Sequence, residues 1–174
     1  MTYLLQVHYL LGRLPVRACP TLQCALAIAV ASPVHAQVGS LRPADFAVGG
    51  VSPGIDSSDV RATLGSPDSV QIDMHPFDVG AELVTWHYAG LQVHYHGNAG
   101  VAGLTLLDSH LSTSRGLRVG NAAAEVRRLY GEPEVQYEGY LDFIDPAEPS
   151  GMHLIRVRIV AGEVVSVFLG WVLD

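Results

Sequence analysis

The stretch "LVTWHYAGLQVHYH", Leu83 to His96, decides how the rest of the chain is read. Two alternating runs flank Ala89-Gly90, the pattern of an antiparallel hairpin with a two-residue turn. That turn sets Tyr88 against Leu91, His87 against Gln92, Trp86 against Val93, Thr85 against His94 and Val84 against Tyr95. Successive side chains on a strand point to opposite faces. Val84, Trp86, Tyr88, Leu91, Val93 and Tyr95 therefore face a core, while Thr85, His87, Gln92, His94 and His96 share the other side.

Working outward, "VAGLTLL" (Val101 to Leu107) continues the meander after the turn "GNAG". Farther on, "LIRVRIV" (Leu154 to Val160), Ala161-Gly162 and "EVVSVFLGWVL" (Glu163 to Leu173) give a second hairpin. Weaker strand signals lie at Val70 to Ile72 and Glu134 to Tyr137. Ahead of each set, "GVSPGIDSSDVRATLGSPD" (Gly50 to Asp68) aligns without a gap with "GLRVGNAAAEVRRLYGEPE" (Gly116 to Glu134). Each reads as a two-turn helix. Asp56 is the expected N-cap of the first, and Gly65 and Pro67 are its stop signals. In the second, Ala122 stands at the cap position, so Asn121 is expected to serve. The resulting expectation is an α+β fold: two tandem repeats of a short helix plus an antiparallel β-meander, residues 49–114 and 115–174, forming one curved sheet with helices on one face.

The shared pattern Gly-x-x-x-x-(acid)-Val-x-x-x-Leu/Tyr-Gly-x-Pro, followed by a Trp-x-Tyr strand and a meander, resembles the SmpA/BamE-like unit. It is also similar to one half of the β-lactamase inhibitor protein fold. The resemblance covers Gly49 to Asp174. It implies an envelope or secreted module that binds other proteins and is not an enzyme, with the uncovered sheet face as its docking surface. The chain departs from that pattern in having no clear lipobox, since Arg17 interrupts "VRAC" (Val16 to Cys19), and no paired cysteines after residue 36.

Residues 1–36 read as an export signal, followed by an N-terminal linker over 37–48. Arg13 and Arg17 precede the apolar run "CALAIAVAS" (Cys24 to Ser32), and "VHA" (Val34 to Ala36) has the spacing of a signal-peptidase site. The run is too short for a membrane anchor, which needs about 20 apolar residues. A chain starting near Val16 would carry a signal of normal length, so the translation start is expected there. The expected location is the periplasm or the exterior, with no integral membrane segment after cleavage. Both cysteines, Cys19 and Cys24, fall within the signal, so the remaining chain has neither a disulfide nor a thiolate.

All ten basic residues are arginine, and the formal charge of -7 argues against nucleic acid as a partner. No Gly-x-Ser-x-Gly, phosphate loop or dinucleotide fingerprint is present, and no cofactor is required. "YEGYLDFIDPAEPSG" (Tyr137 to Gly151) reads as a solvated acidic loop, since Asp142, Asp145 and Glu148 lack calcium-loop spacing.

The candidate site is the polar sheet face. His87, Gln92, His94 and His96 lie on it, and aligning the two halves puts Arg156 and Arg158 where Gln92 and His94 stand. One reading is a locally basic docking strip for another envelope or secreted protein, strengthened by histidine protonation near pH 6. Alternatively, Arg156 and Arg158 pair with acids on neighbouring strands. A different reading makes His87, His94 and His96 a zinc or copper site, in which Zn–N distances of about 2.0–2.1 Å are needed and further ligands come from Asp73, His75 or Asp78.

Overall fold

The computed structural model describes residues 40–74, 81–97, 99–148 and 150–172. The chain divides into two compact units, Met1–Val34 and His35–Asp174, and every described residue belongs to the second. The export signal, the alternative start, both cysteines, His75 and Asp78 lie outside the described residues.

The Ala89-Gly90 turn forms the expected hairpin. Strands β2 (Glu82–Tyr88) and β3 (Leu91–His96) pair with Tyr88 opposite Leu91, Trp86 opposite Val93 and Val84 opposite Tyr95. The other elements are helix α1 (Ser57–Leu64), β1 (Ser69–Met74), β4 (Val101–Leu106), helix α2 (Ala123–Tyr130), β5 (Val135–Tyr137), β6 (Tyr140–Ile144), β7 (His153–Val160) and β8 (Glu163–Trp171).

The expectation of two tandem helix-plus-meander repeats is corrected. Among the described residues, eight strands form one antiparallel sheet in the order β1-β2-β3-β4-β8-β7-β6-β5, with two α-helices of eight residues each. The join is β4 with β8, from Gly103 opposite Gly170 to Leu106 opposite Val167. Val60 of α1, Val126 of α2, Val93, Leu104, Val157 and Leu169 then share one core cluster, each at 0% exposure. The aligned sequence segments cover the helices and their stop signals, which recur because each helix ends the same way: Gly65 and Gly131 terminate them at φ 83° and 90°. Neither expected side-chain cap forms. Asp56 occupies the N-cap of α1 without a capping hydrogen bond, and Asn121 instead accepts the Arg118 N–H through Oδ1 at 2.9 Å.

Helices this short are marginal alone, so they persist by packing. Burying each large apolar side chain contributes about 1.5–3 kcal/mol, and α1 contributes Val60, α2 Val126 and Tyr130. The stretch expected as a linker also supplies core: Phe46, in a 3-10 turn over Pro43–Phe46, and Val48 are 1% and 2% exposed.

A buried ion pair fastens that turn to the chain ahead of α2. Arg115 Nε donates to Asp45 Oδ1 at 3.0 Å and Nη2 to Oδ2 at 2.6 Å. Ser114 Oγ and the Arg42 N–H donate to the same carboxylate. The guanidinium lies over the Tyr130 ring, 4.9 Å from its centroid, and Nη1 donates to the Leu129 carbonyl. The acidic segment expected as a solvated loop is corrected too: Tyr140–Ile144 is strand β6, and Asp142 is 3% exposed.

Candidate functional site

The helix-free face of the sheet brings the sequence-predicted residues together. Following the pairings across the sheet, His87, Gln92, Thr105, Phe168, Arg156 and Asp142 form one row. His94 sits in the next row, opposite Thr85 and Gly103. His96 lies one step beyond, opposite Leu83. Arg158 lies on the other side of the first row, opposite Tyr140 and Ser166.

Their chemistry differs from an open cationic strip. His94 Nδ1 meets Thr85 Oγ1 at 3.1 Å and Nε2 meets Thr105 Oγ1 at 2.8 Å, so both ring nitrogens are engaged by hydroxyls. Burial of the ring, with a smaller contribution from His87, lowers its pKa from 6.5 to about 4. With its pKa lowered to about 4, His94 adds no docking charge near pH 6. His87 Nδ1 bonds Gln92 Nε2 at 3.3 Å. Among the described residues, no three His, Cys, Asp or Glu side chains are grouped so as to hold a metal ion.

Arg156 is neutralised locally. Its Nε and Nη2 donate to Asp142 Oδ1 and Oδ2, both at 2.9 Å, the two-pronged arrangement that makes arginine–carboxylate pairs strong. Of the two arginines, Arg158 is the exposed one. The guanidiniums of Arg156 and Arg158 stand 6.0 Å from the Tyr140 centroid, and Tyr137 stacks on Tyr140 at 5.4 Å.

Between His94 and Leu154 the second row contains only Gly103 and Gly170, side by side. Two adjacent positions without side chains leave a trough in the face. The Phe168 ring leans across it, and a Cβ on Gly103 would lie 2.7 Å from Phe168 Cε2. A groove of about 370 Å³ results, walled by His94, Thr105, Arg156 and Phe168, with Asp73 at its far lip. Asp73 is on β1 and Arg156 on β7, with four strands between them in the sheet, so the sheet curls toward this face. Gly103→Ala is expected to push Phe168 into the groove at a cost of about 1–3 kcal/mol. Denaturant unfolding measures that cost.

Sequence reading missed Phe168, Tyr137, Tyr140 and Asp142 as face residues. The alternation of "VQYEGYLDF" about Glu138-Gly139 was the available signal: both turn residues have positive φ, 39° and 84°, as a tight hairpin requires. It also missed His153. That ring stacks between Phe46 at 3.8 Å and Trp171 at 4.9 Å, with Nδ1 2.9 Å from Asp145 Oδ2. Trp171, on the same side of β8 as core residue Leu169, is 36% exposed at the end of that stack.

Fold and face together define a single-sheet antiparallel protein with a grooved, aromatic-bearing open side. No known protein-family model matches the chain, and no curated protein matches it. A crystal structure of an extracellular protein containing an SCP domain from Bacillus anthracis str. Ames is similar over 67% of this chain and 43% of that one, at 12% identity and a TM-score of 0.44. The chain thus spans less than half the length of that protein. Among the described residues, no helix is long and apolar enough to cross a membrane.

Proposed function

We propose that this is an exported, non-enzymatic binding module that docks another envelope or secreted protein on the open face of its sheet. The observation that carries the reading is the groove over Gly103 and Gly170, where Phe168 supplies apolar surface and Arg156, Tyr137 and Tyr140 stand beside it. Aromatic residues and arginine dominate the binding energy of protein interfaces when they sit around a desolvating depression. Because Arg156 is paired with Asp142, recognition rests on shape and apolar contact, with Arg158 as the charged rim. The fit is to an apolar or aromatic side chain on an extended partner segment. A catalytic role for His94 is disfavoured, because both of its nitrogens are held by threonines.

Capture from the exported protein fraction of the source cells tests the proposal. Phe168→Glu is expected to abolish recovery of a partner that the unaltered protein retains, and Arg158→Glu to weaken it. Arg156→Glu is unsuitable, because it places a second carboxylate against buried Asp142. Equal recovery by the Phe168→Glu protein would refute the docking face.

A further inference from the structure

Strand β1 is the outermost strand on one side of the sheet, and all six of its residues are exposed. Val70, Ile72 and Met74, on the face shared with the core, are 48%, 59% and 62% exposed. Among the described residues, no strand pairs with its outer edge. Edge strands are normally protected by lysine, proline, a bulge or shortness. This one has no lysine or proline, and it pairs with β2 without a bulge from Ser69–His87 to Met74–Glu82. The opposite edge, β5, is three residues long.

We propose that β1 pairs with β1 of a second copy of the chain, antiparallel, about a two-fold axis at Ile72. Such an axis must pair residues of like parity, or every side chain would change face. Centring on Ile72 sets Ile72 against Ile72, Val70 against Met74 and Gln71 against Asp73 of the other copy. All three apolar side chains find apolar partners. The Gln71 amide already donates to Asp73 of its own strand at 2.7 Å, so its second N–H matches the facing carboxylate. Centring on Gln71 instead would pair Gln71 with itself and leave Met74 without an apolar partner. The Ile72 register adds roughly four to six ladder hydrogen bonds. A strand-only contact is smaller than the roughly 1,200 Å² of a stable interface, so the dimer forms in the micromolar range or above. This inference is independent of the groove.

The test uses the protein with Cys19→Ser and Cys24→Ser, so that introduced cysteines are the only thiols. Directly opposite residues lie about 4.5–5.5 Å apart at Cα, within disulfide range. Under mild oxidation Ile72→Cys is therefore expected to give a covalent dimer. Val70→Cys alone should not, because its own copies stand about 13 Å apart in this register. Val70→Cys mixed with Met74→Cys should cross-link. Sedimentation velocity should show a concentration-dependent dimer that Ile72→Lys weakens at least ~10-fold by opposing two like charges. A monomer at every concentration, whether or not a foreign peptide binds the edge, would overturn the proposal. So would cross-linking of Val70→Cys as fast as Ile72→Cys.

Discussion

Arg115→Met is expected to lower the unfolding free energy by about 3–5 kcal/mol, because it leaves Asp45 as an uncompensated buried charge. The Arg115 and Asp45 side chains are 12% and 3% exposed, so water cannot replace the lost guanidinium. Burial alone raises the Asp45 pKa; hydrogen bonds from Arg115, the Arg42 N–H and Ser114, together with the Arg115 charge, more than offset this and hold it below 3.8. A depressed carboxylate pKa contributes stability that is complete above the unfolded value of 3.8. That stability is lost as pH falls through the lower folded value. In Arg115→Met the opposing interactions weaken and burial dominates. The variant's deficit should then shrink as pH falls toward 4 and Asp45 takes up a proton. Urea unfolding of both proteins at pH 7 and pH 4 measures this. A deficit independent of pH would mean that Arg115 acts through packing on Tyr130 and not through charge.

Lowering the pH from 7 to 4 is expected to destabilise the unaltered protein by about 3 kcal/mol through His94 alone, since each pKa unit corresponds to about 1.4 kcal/mol. The folded pKa is about 4 against 6.5 when the ring is free. Between those values the unfolded chain binds a proton that the folded ring refuses, so stability rises with pH across the window and is fully present above 6.5. His94→Gln keeps one donor and one acceptor for Thr85 and Thr105 but does not titrate. Its stability curve should be flatter than that of the unaltered protein by about the same 3 kcal/mol over pH 4 to 7. Parallel curves for the two proteins would place the ring in water. The same shift means that partner docking should not switch near pH 6 through His94.

Much of the sheet was legible because alternation in short, turn-bounded runs fixes both pairing and face. The Leu83–His96 hairpin formed in the expected register, and the polar set His87, Gln92, His94 and His96 shares one face with Arg156 and Arg158. Which strands join across the middle was not legible, because pairing of β4 with β8 depends on Gly103 meeting Gly170, and neither glycine carries a side-chain pattern. Tandem units were inferred from similar helix ends, whereas the sheet and its core are single. Within the site, the sequence shows that His94 and Arg156 face outward. The hairpin register placed Thr85 opposite His94, but Thr105 and Asp142, the other partners of His94 and Arg156, come from β4 and β6, whose registers the sequence does not fix. Asp142 was misread because acids and a nearby proline suggested a loop, while its neighbours Leu141 and Phe143 are 4% and 2% exposed.

The central claim is that partners bind on the open side of the sheet, over Gly103 and Gly170. Hydroxyl-radical footprinting of the protein with a captured partner tests it most directly, because aromatic side chains report their own exposure. The prediction is protection of Phe168, Tyr137 and Tyr140, with Trp171 and the exposed residues of α1 and α2 unchanged. Protection on the helix side, with Phe168, Tyr137 and Tyr140 as reactive as in the free protein, would contradict it.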